Sequence, residues 1–214
     1  MRKLTGLLVI VFLCLTTLSF GQQKINLATA LHEQQIKAVN RTLSIYDKHP
    51  DAVEMNAAES DGLGILKEIE FETGTIEIEL LGENSPGRSF IGIAFNIKDE
   101  ETFEAVYFRP FNFVATEAAR KAHMVQYINH PEDTWFKLRE ERTGEFENEI
   151  PADLDPNDWF NVIIEVTDDK VSVLVDMITL PVLEINRLSE TKSKKIGLWV
   201  GNGSSGRFRN LVLF

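Results

Sequence analysis

Arg109, Asn112 and Gln126 sit inside stretches that otherwise read as apolar strands, Val-Tyr-Phe-Arg-Pro-Phe-Asn-Phe and Met-Val-Gln-Tyr-Ile. A strand face made only for packing has no use for them. Tyr107, Trp135 and Trp199 occur in the same kind of context, and a face made only for water has no use for those. Arginine offers a planar fork of donors, while asparagine and glutamine each offer a donor and an acceptor, a set that matches vicinal hydroxyls. Aromatic planes beside them suit a flat polar ligand such as a sugar. The plainer alternatives are that Arg109 pairs with a nearby acid such as Glu104 and that Asn112 caps a turn after Pro110. Trp199 lies between Gly197 and Gly201 on its own strand face. The missing side chains either leave a groove that a ligand ring enters or admit a side chain from another loop. As a groove residue, Arg109 is expected to be removable at a cost to stability within about 1 kcal/mol.

Other constellations are weaker. Glu77 and Glu79 share a strand face, as the two carboxylates of a retaining glycosidase do. The third acidic position of that pattern is Gly82, so a solvated face is the simpler reading. His123 and His130 stand seven apart with no partner at metal-ligand spacing. Asp153, Asp155, Asn157 and Asp158 surround Pro156 and could offer oxygens to calcium, but the run lacks the glycine and closing glutamate of an EF-hand loop. A capped turn explains it equally, and no other cofactor is implied. An enzyme would need an acid or base inside the groove. Glu104, Glu140 and Asp176 are the candidates for reaching Arg109 and Gln126.

The elements that must position these residues are mostly strands. Residues 75–81 alternate, with Ile76, Ile78 and Leu80 on one face. Residues 89–97 put Ile91, Ile93 and Phe95 on one face, and residues 102–109 do the same with Val106 and Phe108. Tyr107 and Arg109 then share the opposite face. Asp168-Asp169 is a hairpin signal between residues 159–167 and 170–176. A short strand over 181–185 and strands over 195–201 and 207–214 complete the pattern. Trp135 is read in a strand context. Helix is expected only over 29–38 and 116–122. Ten or more short strands without βαβ alternation predict an antiparallel sandwich or barrel.

Arg2 and Lys3, followed by the apolar run Leu7 to Leu15 and the small residues before Gln22, form a secretory signal over residues 1–21, leaving 22–214 as one domain. The run is short for a membrane span. A retained anchor or a lipidated Cys14 is the alternative. Cys14 is the only cysteine, so residues 22–214 form no disulfide. The exported product is expected to be periplasmic or secreted, with no membrane span. The net charge of −11 argues against nucleic acid, which needs clustered cations, and favours a neutral or weakly charged ligand.

Four stretches resemble the concanavalin A-like lectin/glucanase superfamily. They are Gly74-Thr75-Ile76-Glu77, Ser89 to Phe95, Trp159 to Val166, and Ile196-Gly197-Leu198-Trp199-Val200-Gly201 together with Phe208-Arg209-Asn210-Leu211. Within it, the chain is most similar to bacterial laminin-G-like domains and the 3-keto-disaccharide hydrolase family. The resemblance covers roughly residues 35–214. It implies an all-β, antiparallel jelly-roll β-sandwich with one concave sheet that holds the ligand. It also implies a carbohydrate-binding domain for a neutral glycan or, alternatively, a hydrolase or lyase acting on a glycoside such as a 3-keto-disaccharide.

Overall fold

The computed structural model describes residues 21–214, so the export signal read at 1–21 falls outside the described residues save for Gly21. Fifteen strands and three short helices follow in order. They begin with β1 (Gln23–Ile25), α1 (Leu27–His32), β2 (Ile36–Val39), β3 (Leu43–Tyr46), β4 (His49–Met55), β5 (Gly62–Glu70), β6 (Gly74–Leu81) and β7 (Ile91–Phe95). Next come β8 (Phe103–Phe108), a 3-10 turn (Pro110–Asn112), α2 (Ala118–Lys121), β9 (Val125–His130), α3 (Trp135–Glu141) and β10 (Glu147–Asn148). The chain closes with β11 (Phe160–Val166), β12 (Lys170–Val175), β13 (Leu183–Asn186), β14 (Lys195–Val200) and β15 (Gly206–Leu213).

These strands form two antiparallel sheets. One runs β13-β12-β11-β6-β15-β4-β3, with β1 added on β15. The other runs β10-β9-β8-β7-β14-β5-β2. Among the described residues no helix is long and apolar enough to cross a membrane.

The alternation expected from the sequence is what packs the sheets together. Ile76, Ile78, Leu80, Phe160, Val162, Ile164 and Val166 project from the first sheet and are buried. Ile91, Ile93, Phe95, Val106, Phe108, Leu198 and Val200 meet them from the second. Phe108 and Phe160 touch edge to face across the gap, with centroids 5.3 Å apart. The Asp168-Asp169 hairpin closes on Thr167, whose hydroxyl accepts from the Lys170 N–H at 2.9 Å.

Two local expectations need correction. Helix over 29–38 stops at His32. Gln34 takes φ 58°, which turns the chain back, and β2 begins at Ile36. The single turn within 116–122 is present as α2. Trp135 opens a helix and not a strand. Thr134 accepts from the Lys137 N–H at 3.3 Å as its N-cap, and Leu138 three residues on is the buried contact.

The second sheet departs from simple alternation. All residues of β7 and β8 are buried, on both faces. The inner face meets the first sheet. The outer face is covered by α3, the 3-10 turn and connecting segments, and a cleft of about 420 Å³ opens between these and the sheet.

Candidate functional site

Strand register builds the floor of this cleft. Glu147 on β10 stands opposite Gln126 on β9, Gln126 opposite Tyr107 on β8, Tyr107 opposite Gly92 on β7, and Gly92 opposite Trp199 on β14. Directly opposed residues share a face, so five strands present one row outward. Gly92 has no side chain, and the Tyr107 and Trp199 rings meet beside it with centroids 4.8 Å apart. A Cβ at Gly92 would collide with the Val106 carbonyl oxygen and the Tyr107 backbone.

The row is tied into a polar cluster. The Tyr107 hydroxyl donates to Gln126 Oε1 at 2.8 Å and accepts from Arg109 Nη2 at 2.6 Å. Arg109 Nη2 also donates to Gln126 Oε1, and Nη1 donates to the His123 carbonyl at 3.0 Å. Asn112, from the 3-10 turn, donates to the same carbonyl at 3.2 Å and accepts from Arg120 Nε at 3.2 Å. Gln126 Nε2 donates to the Trp135 carbonyl at 3.4 Å. Trp135 itself stands at the mouth, 46% exposed, with the Arg139 guanidinium 5.2 Å from its ring centre. All six residues singled out in the sequence therefore lie together: Tyr107, Arg109, Asn112, Trp135 and Trp199 line the cleft, and Gln126 braces it from below.

The acid that serves this cluster is Glu147, and none of the three expected candidates. Its buried carboxylate accepts two hydrogen bonds from Arg139 on α3 and lies 3.9 Å from Arg109 Nη1. His123 Nδ1 lies 2.7 Å from Glu147 Oε2, within ion-pair reach. Glu104 points the other way. Fully buried, it binds Arg187, Tyr127 and Asn96. Asp176 accepts from the Asn161 N–H, and Glu140 lies on the exposed side of α3. Alternation could not single out Glu147, because Glu145, Glu147 and Glu149 share the same spacing. Burial tells against the sequence expectation for Arg109. Its side chain is only 6% exposed, so removing it takes a counter-charge from Glu147 and a donor from the Tyr107 hydroxyl.

At the other side the loop before β5 brings Asp61 to the cleft, where Oδ2 lies 3.9 Å from His130 Nε2. His130 stacks flat on Phe103, centroids 5.1 Å apart. Burial favours the neutral form of both partners, raising the Asp61 carboxyl and lowering the His130 imidazole from their ordinary values. Burial also lowers His123, and the nearby Arg139 and Arg109 add to this against the pull of Glu147. The Tyr107 hydroxyl is pushed up to about 12 by burial, opposed by Arg109 and Arg139.

Trp199 mixes the two alternatives left open by its glycines. Gly197 lets the β5 backbone at Gly64 approach, and the Phe90 side chain fills the space over Gly201. The indole is thus mostly covered, yet it borders the cleft, and its Nε1 is buried with no hydrogen-bond partner. Among the described residues three buried side-chain polar atoms lack a hydrogen-bond partner; of the two that belong to residues lining this cleft, His123 Nδ1 lies 2.7 Å from Glu147 Oε2, which leaves Trp199 Nε1 as the unpaired one. Such an atom is costly to bury unpaired, and a bound group that accepts from it removes that cost.

Glu77 and Glu79 lie on the other sheet, away from the cleft. Glu79 accepts from Arg209 and Asn210. In the 153–158 loop, Asp155 and Asp158 accept from the N–H groups of Asn157 and Trp159. Among the described residues no group of three or more His, Cys, Asp or Glu side chains is placed to hold a metal ion.

No protein-family model matches the chain, and no curated protein matches its sequence. Solved structures do match in shape. Carbohydrate binding module CBM66 from Bacillus subtilis superposes with a TM-score of 0.60 at 14% identity, covering 84% of this chain and 96% of that one. A Bacillus subtilis protein of unknown function with a galectin-like fold gives 0.58 at 11%, covering 89% and 94%. The lumenal domain of VIP36, in its Ca²⁺/Man3GlcNAc-bound form, gives 0.55 at 10%, covering 84% and 82%. The fold is therefore the concanavalin A-like β-sandwich, as the sequence resemblance implied.

Proposed function

We propose that the cleft on the second sheet binds a saccharide and that the protein acts as an exported carbohydrate-recognition domain. The observation that carries this reading is the buried, unpartnered Trp199 Nε1 beside Tyr107, with the exposed Trp135 plane at the mouth of the same cleft. An aromatic plane takes the apolar face of a sugar ring, and an unpaired donor at the floor takes a hydroxyl oxygen. A cleft of about 420 Å³ lies within the usual range of roughly 300–1,000 Å³ for small-molecule sites. CBM66 and VIP36, whose names or bound ligands are those of carbohydrate binders, share the fold and support the reading. Export rests on the basic and apolar pattern of residues 1–21.

A glycan array followed by calorimetry on the hits tests it. Trp135→Ala is expected to abolish measurable binding. Trp199→Phe, which keeps the ring and removes the N–H, is expected to weaken it about tenfold, the value of one hydrogen bond. Binding to no glycan, or binding indifferent to both changes, overturns the reading.

A second reading is an enzyme, a hydrolase or lyase acting on a glycoside such as a 3-keto-disaccharide. The observation favouring it is that two acid–histidine pairs, Asp61 with His130 and Glu147 with His123, serve the cleft. A glycosidic hydrolase also shares the fold, with a TM-score of 0.52 at 9% identity over 85% of this chain and 90% of that one. Product analysis on the array hits separates the two. An enzyme releases product, and Asp61→Asn or His123→Gln abolishes turnover while binding persists.

A further inference from the structure

We infer that the saccharide taken by this cleft carries an anionic group, a uronate carboxylate or a sulfate ester, held by Arg120 and Arg139, which line the same cleft. This rests on the saccharide reading above and names the class of sugar. The chain as a whole has a net charge of −11, yet its cleft has the opposite bias. Three guanidinium groups line it, from Arg109, Arg120 and Arg139, against one lining carboxylate, Asp61. Asp61 is already beside His130. Behind the wall, the single carboxylate of Glu147 answers both Arg109 and Arg139. One carboxylate shared between two guanidinium groups leaves the pair short of negative charge.

Arg120 and Arg139 each keep a donor that the fold does not use. Arg139 holds Glu147 through Nε and Nη2, at 3.1 and 2.7 Å, which leaves Nη1 without a protein acceptor among the described residues. Arg120 donates from Nε to Asn112 and from Nη2 to the Phe111 carbonyl. Its Nη1 has only the solvated Glu117 carboxylate, 3.8 Å away. Both arginines are anchored by their own hydrogen bonds, so little side-chain freedom is lost when they meet a ligand. A charged N–H donor from each arginine makes a strong, charge-assisted hydrogen bond to a carboxylate or sulfate oxygen. Walls of low polarity at Phe90, Phe111 and Trp135 strengthen that attraction relative to open water. A neutral sugar would leave the excess charge unanswered.

Calorimetry with short oligomers of galactose, galacturonate and galactose 6-sulfate, alongside a wider panel of neutral, uronate and sulfated glycans, tests the inference at about 25 and 250 mM salt. The expected result is that an anionic sugar binds at least tenfold tighter than its neutral counterpart, and that salt weakens only the anionic one. Arg120→Gln is expected to weaken anionic binding about tenfold and neutral binding by a much smaller factor, since Arg120 also holds Asn112. Arg120 is half-exposed, so the variant folds, which its circular dichroism spectrum checks. Tighter binding of uronate over sulfate, or the reverse, identifies the anionic group. Equal affinity for neutral and anionic sugars, or an Arg120→Gln effect of equal size on both, overturns this inference and leaves saccharide binding standing. Binding to no member of the panel overturns both.

Discussion

Arg139 clasps Glu147 with two parallel donors, Nε to Oε1 at 3.1 Å and Nη2 to Oε2 at 2.7 Å, and so fastens α3 to the edge strand β10. The wall of the cleft and its floor are joined through this one carboxylate. Arg109 and His123 crowd the same group from the sheet side. Glu147→Gln is expected to cost about 3–5 kcal/mol, because it leaves charged arginines buried or half-buried without their counter-charge. Urea unfolding measures this. A loss below about 1 kcal/mol would mean that water already screens the cluster.

Arg109→Ala is expected to destabilise by about 3 kcal/mol or more, since Glu147 loses a counter-charge and the buried Tyr107 hydroxyl and Gln126 oxygen lose a donor. Arg109→Lys keeps the charge but not the fork, and should fall between wild type and alanine. An alanine variant as stable as wild type would place Arg109 in the role first expected of it, a solvated groove residue.

Gly92→Ala is expected to cost about 3 kcal/mol, the upper end for overpacking. The added methyl group meets backbone atoms of Val106 and Tyr107, which cannot rotate away. The Trp199 environment should change with it, because the ring contact between Trp199 and Tyr107 lies beside this position. Thermal unfolding and tryptophan fluorescence report the two effects. An unchanged melting temperature would contradict the strand register that aligns the three residues.

Stability should fall as pH drops below about 6.5, the ordinary histidine value. His123 and His130 are both held below that value in the fold, chiefly by burial. The unfolded chain then takes up protons that the folded chain refuses, so their contribution is present above 6.5 and is lost as pH falls toward the folded values. Asp61 works the other way at lower pH. Raised by burial, its contribution is present below the ordinary carboxylate value and is lost as pH rises through its folded value. Urea midpoints at pH 7.5, 6.5 and 5.5, with His130→Gln to remove one histidine, test the first window. Imidazole proton titrations should give midpoints below 6.5. Midpoints above it would show that Glu147 and Asp61 outweigh burial.

The strands and the inward face were legible because both depend on neighbours along the chain. Period-2 alternation in Ile91 to Phe95, Phe160 to Val166 and Lys195 to Val200 is written in adjacent residues, and each such face is buried as expected. The same alternation placed Tyr107 and Arg109 on the outer face. Trp135 was misread as strand because the signal that overrides it is a cap at Thr134 and a single buried contact at Leu138, too sparse to register against the aromatic residues around it.

What the sequence by itself determined is therefore the class of fold and the chemical character of the outward face, since backbone sterics and apolar periodicity act locally. Which acid answers Arg109, and which histidines face it, was decided only when β8, β9 and β10 paired in register and brought residue 147 beside residue 126. The local positive bias of the cleft inside an acidic chain arose in the same way. Net charge is a sum over all residues, whereas a ligand experiences only those that long-range strand pairing and loop packing bring within a few ångströms, where the attraction is least screened.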